Sequence, residues 1–235
     1  MAALLFACFS GDIMRWAFAA EYFPYMRSLL ATLSDIFFML LAVSLAAACR
    51  QKTLIGLSGV LATIKRPLLW AAIIFLPALL LCLTTAPISP GLEAAEVVWK
   101  AVVGPITEEF FYRGLAIGIL MQLCRWPFFA ACLCPAAFFG AVHIWQGSDL
   151  ASAAGVIAIT AAGGILFGWL FVRWNYNLWP PIFMHVGLNS LWLVFDLGQN
   201  AIGGWFGNAM RLAVVVAGIA GTFWLAPRLV KAPKP

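Results

Sequence analysis

Long apolar segments follow one another along this chain, with short polar stretches between them. A helix needs about 20 consecutive apolar residues to cross a bilayer. The candidate segments lie at roughly 2–20, 29–49, 67–88, 97–122, 126–146, 151–172, 178–197 and 208–227. The pattern therefore predicts an all-α protein, a polytopic transmembrane helical bundle of seven to eight helices.

The segment at 2–20 is interrupted early by Asp12 and Arg15. No basic stretch precedes its apolar residues, as one would in a secretory signal. The segment is interpreted either as a short first span or as a helix lying in the membrane interface.

The composition agrees with a membrane protein. Hydrophobic residues make up 64% of the 235 residues and charged residues 10%, whereas a soluble domain carries about 25% charged residues. Nearly all residues are needed for spans, so we expect a single integral-membrane domain over residues 1–235. The net charge of +5 is spread over short loops and the tail. This predicts the lipid bilayer as a partner and no nucleic acid.

Charge alternates between successive loops. Basic residues lie in the loops near 50–66, 123–126 and 173–177 and in the C-terminal tail, while the intervening loops are acidic or uncharged. Basic loops stay in the cytoplasm. We therefore expect an integral protein of a bacterial inner membrane with a cytoplasmic C-terminus.

Small residues concentrate in the segment 151–172. Gly164 and Gly168 form a GxxxG pattern, which lets another helix approach closely. We expect this pattern to pack inside the domain rather than to join two copies of the chain.

Glu108 and Glu109 are adjacent carboxylates within an apolar segment. Ionisable groups inside a membrane are costly and usually mark function. Successive helical residues point about 100° apart, so the two carboxylates face different ways. Arg113 lies four residues after Glu109 and can pair with it, which leaves Glu108 free to act as a general base. The alternative is an ion-paired cluster that only fixes helix packing.

The chain has two histidines, each with a partner four residues away. Phe139 precedes His143, and its ring can wall a pocket and orient the imidazole. His185 precedes Asn189, and together they offer hydrogen-bond donors to an oxyanion. Taken singly, His143 fits a packed or interfacial residue, and the other pair fits bonds between helices. The combination with Glu108 matches the groups needed for hydrolysis by an activated water.

Three patterns occur in order on successive apolar segments: EExxxR, FxxxH and HxxxN. They resemble the motifs of the CPBP family, which comprises the CAAX-processing type II endopeptidases of the Rce1 type and bacterial relatives linked to bacteriocin handling and protein sorting. The motif core lies at about 97–197.

The resemblance implies an intramembrane glutamic endopeptidase. Glu108 would activate the water, and His143 would hold the water or share its proton. His185 and Asn189 would stabilise the oxyanion. The supporting residues would be Glu109, Arg113 and Phe139.

No cofactor is favoured. Family members were formerly described as metalloproteases, and zinc, if present, would be bound by Glu108, His143 and His185. We expect the metal-free mechanism.

The partner implied by the resemblance is a protein substrate with a membrane-associated C-terminal segment. That segment is either a CAAX-like tail or a C-terminal sorting or anchor tail. Two other classes stay open. A proton-coupled transporter also uses intramembrane Glu and His, although no internal repeat is present. A non-catalytic scaffold or immunity protein is the other alternative.

Overall fold

The structure, a computed structural model, describes residues 54–198 and 200–227, apart from the side chains of Leu54 and Trp145. The chain divides into two units, Met1–Leu57 and Ser58–Pro235, and only residues 54–57 of the first unit are described. The predicted spans at 2–20 and 29–49 and the C-terminal tail therefore lie outside the described residues.

Seven helices are present in the described part of the chain, and no strand occurs there. In chain order they are α1 (Leu54–Ser58), α2 (Lys65–Thr85), α3 (residues 94–122), α4 (Phe128–Ala141), α5 (Leu150–Arg173), α6 (Trp179–Val194) and α7 (Trp205–Leu225). A 3₁₀ turn, Ile144–Gln146, lies between α4 and α5. The predicted all-α class is confirmed.

Within the described residues, α2, α5 and α7 are long and apolar enough to cross a membrane, and α4 is a shorter apolar helix. Large apolar side chains also remain exposed along α2, among them Leu69, Leu76, Leu80 and Leu83. A surface of this kind is stable in lipid and not in water. The protein is therefore an integral membrane protein.

Helix α3 runs without a break but departs from α-helical winding in two segments. The segments Val97–Val103 and Phe110–Ile117 are π-helical, and Gly104–Glu109 between them is α-helical. Pro105 lacks a backbone N–H, and in α-helical winding its ring would clash with the carbonyl four residues earlier. The wider π turn before it relieves that clash. Such turns occur frequently at functional sites, and both glutamates lie between these two.

Helix α4 ends at Ala141, before the predicted limit of 146. Nδ1 of His143 lies 2.6 Å from the carbonyl oxygen of Phe139, the acceptor that another α turn would use. The backbone N–H of His143 donates instead to the Gly140 carbonyl at 3.1 Å. This bond reaches back three residues, as in a 3₁₀ helix, and not four. The α-helix therefore ends, and His143 lies in the turn that follows.

Helices α4 and α5 approach closely through the GxxxG pattern. A Cβ built on Gly164 would lie 3.0 Å from Cβ of Ala136, and one on Gly168 would lie 2.9 Å from Sγ of Cys132. The two glycines therefore pack against α4 of the same chain, as expected.

The connection between α4 and α5 ends in a helix cap. The Asp149 carboxylate accepts a 2.8 Å hydrogen bond from the backbone N–H of Ser152, the arrangement typical of an N-cap. This bond lowers the pKa of Asp149 below its ordinary value. The carboxylate therefore stays ionised near neutral pH, where its charge complements the positive end of the helix dipole.

Two buried indoles hold α7 against its neighbours. Nε1 of Trp70 on α2 donates to the Gly218 carbonyl at 3.0 Å, and Nε1 of Trp174, which follows α5, donates to Oγ1 of Thr222 at 3.2 Å. Buried Trp N–H groups need such partners. The two rings meet edge to face at 6.0 Å, so α2, α5 and α7 converge at one point.

The close approach of α4 and α5 predicts different effects on stability for two Gly→Ala substitutions. A Cβ on Gly140 would lie 2.8 Å from the backbone oxygen of Ile157, whereas a Cβ on Gly163 would have no atom within 4 Å. Gly140→Ala should destabilise the protein by about 1–3 kcal/mol because the two backbones must move apart. Gly163→Ala, the matched control, should be neutral or slightly stabilising.

Thermal unfolding of the purified full chain in detergent measures both variants. Equal unfolding midpoints for the two would contradict close contact between α4 and α5 at Gly140.

Candidate active site

The carboxylate of Glu109 joins α3 to α6. The side chain is fully buried, and its Oε1 accepts hydrogen bonds from Nη1 of Arg113 at 2.8 Å and from Nδ1 of His185 at 2.7 Å. The ion pair expected from the i,i+4 spacing is therefore present, with a second donor from another helix. A buried carboxylate needs such charged or hydrogen-bonding partners because the interior solvates it poorly.

Arg113 is also buried, at 1% exposure, and aromatic rings surround its guanidinium. Its Cζ lies 4.6 Å from the ring centroid of Phe139 on α4 and 5.2 Å from that of Phe167 on α5. Aromatic faces attract a desolvated cation. Arg113 thus connects α3 to α4 and α5, and Gly164 leaves space for Nη2, which lies 3.5 Å from the site of its missing Cβ.

Glu109 sets the orientation of His185. Because a carboxylate oxygen accepts the bond, Nδ1 of His185 is the donor. The opposite nitrogen, Nε2, then points toward Glu108 and lies 3.7 Å from its Oε2. Rings of Phe167 and Phe139 pack around the imidazole, with centroids 5.2 Å and 6.1 Å from it. A carboxylate that orients a histidine in this way is a recurring feature of hydrolytic sites.

The two adjacent glutamates occupy different environments. The Glu108 side chain is 35% exposed, whereas that of Glu109 is 0% exposed. The distance from Glu108 to Nε2 of His185 is within ion-pair range but longer than a hydrogen bond. Glu108 is therefore the carboxylate that a molecule entering the site can reach.

The second histidine borders the same aromatic ring. The His143 imidazole centroid lies 4.6 Å from that of Phe139. Because a carbonyl oxygen only accepts, Nδ1 of His143 donates to the Phe139 backbone, and Nε2 of the neutral ring is an acceptor. No ion pair between His143 and Glu108 forms among the described residues. The structure brings Glu108 to His185 instead.

Asn189 lies one turn beyond His185 on α6 and faces α3. Its Nδ2 donates to the backbone carbonyl of Lys100 at 3.2 Å. An amide nitrogen carries two hydrogens, so one N–H remains for another acceptor. Lys100 lies in the π-helical Val97–Val103, which places its carbonyl where Asn189 reaches it.

The residues considered as zinc ligands do not form a metal site. Among the residues that the structure describes, no group of three or more His, Cys, Asp or Glu side chains is arranged to hold a metal ion. Glu108 and His185 approach each other, and Nδ1 of each histidine is bonded within the protein, which leaves Nε2 as the accessible nitrogen of each ring. In the described part of the chain, Glu108, His143 and His185 are not gathered into a group that could hold a metal ion.

Three parts of the site have no signal in the sequence. These are the hydrogen bond between Glu109 and His185, the Phe167 ring beside Arg113 and the Lys100 carbonyl that accepts from Asn189. Phe167 stands one residue before Gly168 and looks like any other apolar residue of α5.

The fold and the site define an all-α integral membrane protein with carboxylates, imidazoles and a guanidinium gathered between its helices. Residues 90–191 match the family described as "Type II CAAX prenyl endopeptidase Rce1-like". That range contains all three motifs. This part of the chain is similar to that peptidase family, which confirms the resemblance seen in the motifs.

A protein of Bacillus subtilis (strain 168), described as "Putative membrane peptidase YdiL", is 31% identical to this chain over 101 residues. These residues are 43% of this chain and 37% of that relative, so the chain matches little more than a third of the relative's length. No solved structure matches the chain.

The different burial of the two glutamates predicts different effects on stability. Glu109→Gln should destabilise the fold by about 3–5 kcal/mol, because it removes the counter-charge of the buried Arg113. Glu108→Gln, the same chemical change at the next residue, should cost less than about 1 kcal/mol because its side chain reaches the accessible space.

Thermal unfolding of both purified variants in the same detergent tests this difference. A larger loss for Glu108→Gln would show that Glu109 is not the structural carboxylate.

Proposed function

We propose that this chain is an intramembrane glutamic endopeptidase that hydrolyses a peptide bond near the C-terminus of a membrane-associated protein. The different environments of the two adjacent glutamates are the observation that supports this proposal. Glu109 is buried and neutralised by Arg113 and His185, whereas Glu108 is accessible beside Nε2 of His185. The similarity of residues 90–191 to a peptidase family supplies the reaction class.

Glu108 acts as the general base in this proposal. It takes a proton from a water molecule while the water oxygen attacks the scissile carbonyl carbon. His143 assists by accepting a hydrogen bond from the second O–H of the water, which keeps that hydrogen, at its Nε2, the acceptor nitrogen set by the bond from Nδ1 to Phe139. The Phe139 ring, which contacts both imidazoles, keeps this part of the site apolar.

The carbonyl oxygen becomes negatively charged when water attacks. Asn189 donates its remaining N–H to this oxygen, and the protonated His185 donates from Nε2. Glu109 stabilises that imidazolium through its bond to Nδ1. When the C–N bond breaks, the leaving amine takes the proton that Glu108 received from water. The carboxylate of Glu108 is thereby regenerated.

The proposed substrate is a protein whose C-terminal segment is associated with the membrane. It carries either a CAAX-like tail or a C-terminal sorting or anchor tail. The lipid-facing helices support a substrate that reaches the site from the bilayer, because the apolar part of either tail is already there.

Loss of the Glu108 carboxylate should abolish cleavage. Co-expression with tagged substrates of both tail types should give a size shift on a gel, and Glu108→Gln should reduce the cleavage rate by roughly 100- to 10,000-fold. Glu96→Gln is the matched control, since Glu96 pairs with Lys100 on the exposed part of α3. Cleavage that survives in folded Glu108→Gln would exclude Glu108 as the base.

The metal-free mechanism makes a second prediction. Cleavage by the purified full chain should be unchanged after treatment with EDTA or 1,10-phenanthroline, because the water is activated by a carboxylate. Inhibition that is reversed by added zinc would instead favour a metal-bound water.

A further inference from the structure

His143 lies in a turn, whereas the other groups of the proposed reaction centre lie on helices. Helix α4 ends at Ala141, and the 3₁₀ turn Ile144–Gln146 follows His143 directly. Few backbone hydrogen bonds fix such a segment, so it opens more readily than the interior of a helix. The position of the His143 imidazole therefore depends on what holds this turn.

Gln146 joins this turn to the connection between α6 and α7. The backbone N–H of Gln146 donates to the His143 carbonyl at 3.0 Å. Its side-chain Oε1 accepts a hydrogen bond from the backbone N–H of Ala201 at 3.3 Å. An N–H group only donates, so the amide oxygen of Gln146 is the atom that this contact requires. One residue thus contacts both the backbone of His143 and a segment 55 positions away.

Residues 200–202, called the strap below, are themselves held by two helices. The carbonyl of Asn200 accepts a hydrogen bond from Nε1 of Trp192 on α6 at 3.2 Å. Oδ1 of Asn200 accepts from the backbone N–H of Ile202 at 2.9 Å. Cδ1 of Ile202 lies 3.0 Å from the site of the missing Cβ of Gly155 on α5. The strap therefore contacts α5, α6 and the turn that follows α4.

Trp192, the anchor of the strap on α6, has a closely packed ring. A Cβ on any of three glycines would lie 3.0 Å or less from a carbon of this ring: Gly198, Gly203 and Gly207. The guanidinium of Arg211 on α7 also packs on the ring, with Cζ 4.1 Å from the ring centroid. Such a cation–π contact is attractive, most of all where water is excluded. The anchor is therefore fixed relative to α6 and α7.

The anchor lies on the face of α6 that carries two of the proposed catalytic groups. His185, Asn189 and Trp192 are at positions i, i+4 and i+7 of the helix, and such positions share one side. The strap thus connects His143 to the helix that carries the proposed oxyanion donors. Glu109 connects the same helix to α3 through its hydrogen bond with His185.

We propose that the strap sets the position of His143 relative to the two groups on α6. Gln146 is the positioning residue that links the strap to His143. This inference rests on the proposed endopeptidase function, in which Glu108 and His143 contact the same water. Groups on two separate segments must then keep their relative position, and a displacement of about 1 Å can lower a rate about 100-fold.

Two substitutions at Gln146 test this role in catalysis. Gln146→Met keeps the length of the side chain but removes the acceptor oxygen. For a substrate that the wild type cleaves, it should lower kcat by roughly 10- to 100-fold. KM should change less than about threefold, because the contacts with the substrate are unchanged. Gln146→Glu keeps an acceptor oxygen and should retain kcat within about threefold of the wild type. An unchanged kcat in Gln146→Met would overturn the proposal.

A spectroscopic measurement reports on His143 without any substrate. The chain contains two histidines, so NMR of the full chain with nitrogen-labelled histidine in detergent shows two imidazoles, which His143→Gln assigns. In the wild type, the bond to the Phe139 carbonyl keeps the proton of His143 on Nδ1. Gln146→Met should add the Nε2–H tautomer at His143. The His185 signals should not change, because Glu109 holds that ring.

Ser148→Ala is the matched control in the same connection. The hydroxyl of Ser148 is exposed and donates to the Asp149 carboxylate at 3.3 Å, not to the strap. Its removal should leave both kcat and the tautomer of His143 as in the wild type. A change in Ser148→Ala as large as that in Gln146→Met would contradict a specific role for Gln146.

Trp192→Phe tests the other end of the strap. This substitution keeps an aromatic ring beside Arg211 but removes the N–H that donates to Asn200. The His143 signals should change as they do in Gln146→Met, because the strap loses its hydrogen bond to α6. Wild-type His143 signals in folded Trp192→Phe would show that the strap does not connect His143 to α6, which overturns the proposal.

The NMR measurement also separates this inference from the proposed function. If the His143 tautomer changes as expected while the wild type cleaves no substrate, the strap is supported and the endopeptidase function fails. If the wild type cleaves and Gln146→Met keeps both the rate and the tautomer, the function is supported and the strap fails. A lower kcat with wild-type His143 signals would mean that Gln146 acts elsewhere, which also overturns its assignment.

Discussion

The buried carboxylate of Glu109 holds the site together. It accepts hydrogen bonds from Arg113 on its own helix and from His185 on α6, and the guanidinium of Arg113 in turn packs against aromatic rings of α4 and α5. In the interior of a membrane protein an isolated charge is too costly to persist. The need to compensate these buried charges therefore brings α3, α4, α5 and α6 together at one point. Apolar packing alone would not specify that point.

Two local departures from α-helical winding place the remaining groups. The π turns of α3 set the position of the Lys100 carbonyl, which holds Asn189, and bracket the segment that carries both glutamates. The end of α4 at Ala141 frees His143 from the helix, and its ring then bonds back to the Phe139 carbonyl. Each departure leaves a backbone carbonyl within hydrogen-bond distance of a side chain of the site, Lys100 for Asn189 and Phe139 for His143.

Features that depend on residues close together in the sequence could be predicted from the sequence. The lengths of the apolar runs predicted the helices from α2 to α7, mostly within about three residues of their ends, because a span is defined by its length and composition. The spacing of Glu109 and Arg113 predicted their ion pair, because four residues complete about one turn. The apolar pattern predicts too late an end for α4, because it contains no sign that the His143 imidazole takes the backbone carbonyl of Phe139.

The sequence by itself determined the all-α membrane class, the similarity of residues 90–191 to a peptidase family and the chemical groups available for catalysis, because each depends on local composition and spacing. Only the tertiary structure decided how those groups meet. His185 bonds to Glu109 and approaches Glu108, and Asn189 bonds to the Lys100 carbonyl. Glu109 and His185 are 76 positions apart. Their contact follows from the way α3 and α6 pack, and no local spacing specifies the relative rotation of two helices.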